Sequence, residues 1–294
     1  MIKERIFKLA THKPINQSLI REIDNFISLE KTLKLTNKDT LVVFDVDNVL
    51  IMPSEEDDFR HPYRAQLLES ITNQLIPQKK EFLDSIILSA TKRILVEPRI
   101  INIFNHLNLQ QIPTIALTAM GTGKFGIIKK MEDLRFMELH KVGISFKSLT
   151  PLNGEQLAPK LKGTNIVFEN CTGTPKLKDG IIFSAGVDKS VILEYMFSKY
   201  NYYPKAIIFV DDVLENIKSL QKLCIKLKID FCGFHYKAVS LMPLPVIDEN
   251  LERLRFNILE KDCGWLNYEK LKKKYVKYNS CDPLNVNNFL SLDE

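Results

Sequence analysis

Cysteine is scarce and unpatterned in this sequence. Its 294 residues include five (Cys171, Cys224, Cys232, Cys263 and Cys281), an odd number with no Cys-x-x-Cys pair. That argues against a disulfide framework or a zinc ribbon and for reduced thiols. Charge of one sign is also scarce: 41 Lys and Arg against 36 Asp and Glu leave +5, which marks neither a nucleic-acid binder nor a polyanion-coated surface. No uninterrupted apolar run approaches the roughly 18 residues of a membrane span. The start, Met1 to Lys8, lacks the apolar segment and small-residue cleavage site of a secretory leader. A cytoplasmic location is therefore expected, with export by a non-classical route left open. Internal repeats are absent, and 11 Gly and 13 Pro exclude collagen-like and low-complexity classes.

What is there is ordinary for a folded chain: 45% hydrophobic, 26% charged and 9% aromatic residues. A chain of this size buries about three quarters of its unfolded surface, enough for a large α/β domain and a small insert. Leu41–Phe44 is a short apolar run that ends abruptly in acids, the pattern of a buried parallel strand with a polar carboxyl end. The pattern recurs at 114–118 and 206–212, and 229–235 reads as a further strand near an edge. Helical periodicity separates them: Ile100, Ile103, Phe104 and Leu107, then 189–200, then 216–228. Leu19, Ile20, Ile23, Phe26 and Ile27 predict an amphipathic helix within 15–31. Strand and helix in alternation predict an α/β fold, a Rossmann-like parallel sheet flanked by helices, with ligands beyond the carboxyl ends of the strands.

Two stretches depart from the alternation. Residues 53–98 carry their own helical patterns (Leu67, Leu68, Ile71, Leu75; Phe82, Ile86, Ile87) and predict a small helical insert after the first strand. Residues 144–184 hold Ile166–Phe168 and Ile181–Phe183 around turn residues, a hairpin-like excursion. The expected organisation is an N-terminal helical segment (1–38), a core (39–52 and 99–240), the insert (53–98) and a C-terminal helical extension (241–294).

The chemistry gathers at strand ends. Asp45-Val46-Asp47 leaves the first strand, and two unpaired carboxylates held close repel by roughly 4 kcal/mol at an effective dielectric near 20, so the pair calls for a cation. Oxygen ligands favour Mg²⁺, with a substrate phosphate as a further ligand. Thr118 and the backbone from Ala119 onward offer a hydroxyl and N–H groups to a phosphate oxygen. Gly121-Thr-Gly-Lys124 is no P-loop: Thr118 stands where its first glycine belongs, and Phe125 replaces the Ser or Thr. Lys189 opens a helix against the dipole, which points to an anionic neighbour. Asp211-Asp212 ends the third strand as a hard-cation site, with Glu215 and Asn216 placed to support it. Arg60 and Arg64 in the insert suit an acidic or phosphorylated substrate and are candidate specificity residues. The basic run at 270–277, beside Trp265, Tyr268 and Tyr275, reads foremost as a solvated helix face, and nucleic acid is not the expected partner.

Taken in order, an Asp-x-Asp strand end, a Thr strand end, a Lys and an Asp-Asp strand end resemble the four-part pattern of the haloacid dehalogenase superfamily over residues 39–237. The wording Val-Phe-Asp-Val-Asp-Asn-Val-Leu, Phe-Val-Asp-Asp and Gly-Phe-His-Tyr is similar to a little-characterised bacterial branch of it. The resemblance implies a helical cap at 53–98 and a Mg²⁺-dependent phosphatase acting on a phosphorylated small molecule. Asp45 would be the nucleophile that forms an aspartyl-phosphate, and Asp47 the general acid and base. Asp45, the Asp47 carbonyl and Asp211 would hold the metal, with Asp212 close by. Thr118, Ala119 and Lys189 would hold the phosphoryl group. Two departures stand out: Met120 follows where relatives continue toward an arginine, and the last motif ends Glu215-Asn216. They leave a second reading, a catalytically weak scaffold serving as a binding or exported effector protein. A phospho-accepting receiver domain is disfavoured, because it would not need the insert.

Overall fold

The structure is a computed structural model and describes residues 18–152 and 173–281. The expected strand at Ile166–Phe168 lies outside the described residues, as do the ends of the chain. The described elements run, in chain order, β1 Ser18–Ile23, α1 Ile27–Leu33, β2 Thr40–Phe44, β3 Ile51–Pro53, α2 Pro62–Thr72, α3 Pro77–Ala90, β4 Arg93–Leu95, α4 Ile100–Gln110, β5 Thr114–Thr118 and α5 Met131–Lys141. They continue with β6 Lys176–Lys178, β7 Ile181–Phe183, α6 Lys189–Tyr200, β8 Ala206–Asp211, α7 Leu214–Leu227, β9 Asp230–Tyr236, α8 Ala238–Leu241, α9 Glu249–Asp262 and α10 Tyr268–Cys281. Two compact units result.

The first unit draws on described residues within 1–52, 93–124 and 129–242. Seven strands form one sheet in the order β1-β9-β8-β2-β5-β7-β6, parallel throughout except for the β6–β7 hairpin. Every residue of β2 and β5 is buried, as expected of strands covered on both faces. Alternation along β2 divides the core. Val42 and Phe44 pack with α4 through Ile100, Ile103, Phe104 and Leu107, whereas Leu41 and Val43 pack with α6 and α7 through Leu193, Phe197, Ile217 and Leu220. The hairpin turn at Asp179-Gly180 has positive φ at both residues.

The register positions the chemistry. Phe44 pairs with Val210 in β8 and with Ala116 in β5, so the residues that follow, Asp45 and Asp211, emerge side by side at the carboxyl edge. This is where the order of strands reverses around β2, the crevice in which open α/β sheets hold ligands.

One expectation fails at the β1 edge of the sheet. Residues within 15–31 do not form one helix: Ser18–Ile23 is a strand, and the helix begins only at Ile27. Asp24-Asn25 separates them, with Asn25 Oδ1 accepting from the Ile27 N–H at 3.0 Å, and the free flank of β9 satisfies the backbone of β1. Consequently β9 lies one strand in from the edge, near which the sequence placed it.

The second unit draws on described residues within 53–92, 125–128 and 243–294. It is the small helical region after β2, with α2 and α3 joined by α9 and α10. Its core is Leu83, Ile86, Ile87, Phe256, Leu259 and Trp265. Buried polar groups tie it together. Arg64 is fully buried, with Nε 3.0 Å from Glu252 Oε1 and Nη2 2.8 Å from the Tyr268 hydroxyl. Arg255 lies 3.9 Å from the Trp265 ring centroid and 2.6 Å from Asp57, which also accepts from the Trp265 indole N–H. The 125–128 segment is held within this unit by Glu81 and Ser85, which accept from the N–H groups of Gly126 and Ile127.

Candidate active site

Asp45 begins where β2 ends. Its N–H donates to the Val210 carbonyl at 2.8 Å, which extends the β2–β8 ladder by one residue and fixes the backbone beneath its carboxylate. Lys189 comes from the first position of α6, whose N-terminus is capped by Asp188 Oδ1 accepting from the Ser190 and Val191 N–H groups. From there Nζ donates to Asp45 Oδ1 at 2.6 Å and to Asp211 Oδ2 at 2.7 Å, so the lysine has two anionic neighbours. All three side chains are buried. Asp211 is held further by the Val213 N–H at 2.8 Å and by Asn216 Nδ2 at 3.1 Å.

Asp212 joins from the next position. Its Oδ2 accepts from Asn48 Nδ2 at 3.0 Å, and its carbonyl lies 3.1 Å from His235 Nε2. Asn48 has φ +60, a left-handed conformation that asparagine tolerates better than other side chains. One carboxylate oxygen each from Asp45, Asp211 and Asp212 lies within 4.8 Å of the others. Lys189 pairs with only two of the three carboxylates, and all the donor atoms are oxygens, so the group could hold a metal ion of the hard divalent kind.

The electrostatics reflect that imbalance. Burial pushes the Asp45 carboxyl up to about 7, outweighing the pull of the Lys189 ammonium, and the carboxylates of Asp211 and Asp47 push the same way. Burial acts to lower the Lys189 ammonium, but Asp45 and Asp211 more than offset it and hold the group above its ordinary value. Asp212 is also raised, chiefly by burial, against the Asn48 hydrogen bond.

The Asp47 carboxylate is not one of these three. Its side chain is 42% exposed, and both its oxygens lie 2.9 Å from Nη2 of Arg135, a residue of α5 that is itself buried. Thr118 is buried, and its Oγ1 accepts from the Met120 N–H at 3.2 Å, leaving the hydroxyl proton free to be donated. The following loop is fastened to the turn before α6: Ser184, Ala185 and Gly186 donate backbone N–H groups to the carbonyls of Thr118, Met120 and Ala119. This zipper sets the Thr118–Ala119 segment relative to the turn that delivers Lys189. The Gly123 N–H is occupied by Glu132 Oε2 at 2.8 Å.

The structure thus brings Asp45, Lys189, Asp211, Asp212 and Asn216 together. Glu215 stays outside the group, 76% exposed and facing Lys218 at 3.8 Å. Arg60 and Arg64 belong to the second unit. Arg60 bonds Asp58 through its backbone N–H at 2.9 Å and through Nε at 2.8 Å. Arg64 directs its guanidinium into that unit's own core.

Sequence reasoning overlooked Arg135 and Asn48. A signal for the first was present: the buried positions of α5 are Met131, Glu132, Arg135, Glu138 and Leu139, a helix stripe carrying charge where apolar residues are the rule. Asn48 had a weaker one, an asparagine directly after the acidic strand end, where the chain must turn.

The chain matches the family described as "Protein of unknown function (DUF2608)" over residues 18–272, and belongs to it. It is 28% identical over 133 residues to a Chlamydia pneumoniae protein named "Putative outer membrane protein", a match covering 45% of each chain, so it spans under half of that relative. It is 26% identical over 238 residues to an uncharacterized protein of Rickettsia felis, covering 74% of this chain and 76% of the other. No solved structure matches. Among the described residues no helix is long and apolar enough to cross a membrane.

Proposed function

We propose that the chain is a Mg²⁺-dependent phosphohydrolase of the haloacid dehalogenase type, acting on a phosphorylated small molecule. The single observation that carries this reading is the meeting of Asp45, Lys189 and Asp211 at the carboxyl ends of β2 and β8, with Asp212 alongside.

Asp45 is the nucleophile. The described contacts use only its Oδ1, so a second oxygen remains to attack phosphorus. The attack forms an aspartyl-phosphate and breaks the bond to the leaving oxygen, which takes a proton from Asp47. Asp47, now a carboxylate, then removes a proton from water, whose oxygen displaces Asp45 and releases inorganic phosphate. Lys189 stabilises the Asp45 carboxylate before attack and the phosphoryl oxygens during it, while the Thr118 hydroxyl and the Ala119 N–H donate to those oxygens. Asp45, the Asp47 carbonyl and Asp211 would hold Mg²⁺, with Asp212 beside them; the ion supplies charge neutralisation for the phosphoryl group.

Hydrolysis of p-nitrophenyl phosphate and a panel of phosphate monoesters, with and without Mg²⁺, tests the proposal. Mg²⁺-dependent turnover that disappears in Asp45→Asn supports it. No turnover with any ester or metal would favour a non-catalytic binding scaffold.

A further inference from the structure

Arg135 is buried, at 2% exposure, in the helix that follows the Thr118 loop, and it contacts two parts of the site. Its Nη2 reaches both oxygens of Asp47 at 2.9 Å, and its Nε lies 3.1 Å from Sδ of Met120. Behind it stands Glu138, one turn along α5, with Oε2 3.2 Å from Arg135 Nη1 and Oε1 3.3 Å from Arg93 Nε. Charges of alternating sign therefore run Arg93, Glu138, Arg135, Asp47, all within the first unit.

The hydrogen bonding of this chain is uneven in an informative way. A buried guanidinium requires a counter-ion, and Glu138 already supplies one on the same helix. Asp47 is half exposed, and water alone would solvate it. Yet the fork is turned toward Asp47, although that leaves Nη1 close to Glu138 Oε2 without an aligned hydrogen bond and spends Nε on a thioether, a weak acceptor. A buried donor left without a proper partner carries a free-energy cost. The arrangement gives up hydrogen bonds around Arg135 in order to hold the Asp47 carboxylate in one orientation.

We infer that Arg135 is a positioning residue for Asp47, and that Glu138, steadied by Arg93, positions Arg135. The inference deepens the phosphohydrolase reading and rests on it for its catalytic consequence. Asp47 must present its proton to a leaving oxygen and then accept one from water. A carboxylate free to rotate at the surface would do so rarely, and a misplacement of about 1 Å costs on the order of a hundredfold in rate. A residue acting this way changes turnover and leaves substrate and metal binding alone.

The test combines kinetics with structures of the full-length chain. In Arg135→Met, kcat for p-nitrophenyl phosphate with Mg²⁺ falls about a hundredfold while KM and the Mg²⁺ concentration at half-maximal rate stay within about twofold; Arg135→Lys recovers much of the loss. Glu138→Gln, which keeps the Arg135 side chain but removes the charge that positions it, gives a smaller fall of the same kind, so the proposal survives poor folding of Arg135→Met. Crystal structures supply the arm that needs no activity: Asp47 leaves its orientation in Arg135→Met and keeps it in Arg135→Lys. An unchanged kcat, or an Asp47 carboxylate that stays in place without Arg135, overturns the inference. If the wild type hydrolyses no ester, the phosphohydrolase reading fails, and the Asp47 orientation in the variants still decides whether Arg135 positions it.

Discussion

Lys189 Nζ lies 2.6 Å from Asp45 Oδ1, and the same ammonium lies 2.7 Å from Asp211 Oδ2. One buried cation thus serves two buried carboxylates, with Asp212 close enough to complete a metal-sized group. The site carries more negative charge than its own residues neutralise, and the expected behaviour of the protein follows from that excess.

Asp45→Asn reduces the excess by one charge without changing shape. The Asp45 carboxyl is raised to about 7, above the ordinary unfolded value near 3.9. Its stabilising contribution is therefore complete at acid pH and is lost as pH rises through that window to about 7. Without added metal, Asp45→Asn melts several degrees above the wild type at about pH 8, and the gap narrows toward about pH 5. Mg²⁺ at about pH 8 raises the melting temperature of the wild type and not of the variant. Thermal scans across pH, with and without Mg²⁺, check both.

Lys189→Met does the opposite, since Asp45 and Asp211 remain buried without their shared partner. Breaking a buried ion pair from one side costs about 3–5 kcal/mol. Urea titration of the variant reads that loss, and adding Asp45→Asn restores part of the stability but no activity.

Thr118→Val removes the hydroxyl that accepts from Met120 and is expected to donate to a phosphoryl oxygen. Losing one such hydrogen bond, worth about 1–1.5 kcal/mol, lowers kcat/KM about tenfold. Thr118→Ser keeps the hydroxyl and stays close to wild type. Steady-state kinetics on p-nitrophenyl phosphate distinguish the two.

Arg64→Met tests a different role. Arg64 is fully buried against Glu252 and Tyr268, so its removal strands Glu252 and destabilises the helical unit by about 3–5 kcal/mol. Denaturant titration reads the loss as an earlier unfolding transition, while Mg²⁺ affinity, measured by calorimetry below that transition, is unchanged.

Much of this was legible in the sequence, for physical reasons that differ from residue to residue. The central strands announce themselves, because a strand covered on both faces is a short apolar run and its carboxyl end is where polarity returns; Phe44 to Asp45 and Val210 to Asp211 are such boundaries. Lys189 was legible through the dipole it opposes. β1 was not: Leu19, Ile20 and Ile23 suit a helix as well as an edge strand, and only pairing with β9 decides. The Arg64–Glu252 pair joins residues 188 apart in the chain, and Arg135 meets Asp47 across 88; no local periodicity carries such information. For Arg64 the sequence suggested a ligand contact because guanidinium groups bind phosphates, a chemistry that serves a buried carboxylate equally well.

The central claim is that Asp45, Asp211 and Asp212 gather a hard cation beside a carboxylate able to take up phosphorus. A crystal structure of the wild type grown with Mg²⁺ and beryllium trifluoride, a mimic of a bound phosphoryl group, tests it most directly. The account predicts beryllium bonded to the Asp45 carboxylate, with its fluorines beside Lys189 and Thr118 and a cation ligated by Asp45 and Asp211. An Asp45 left unmodified, with no cation among these carboxylates at saturating Mg²⁺, would contradict it.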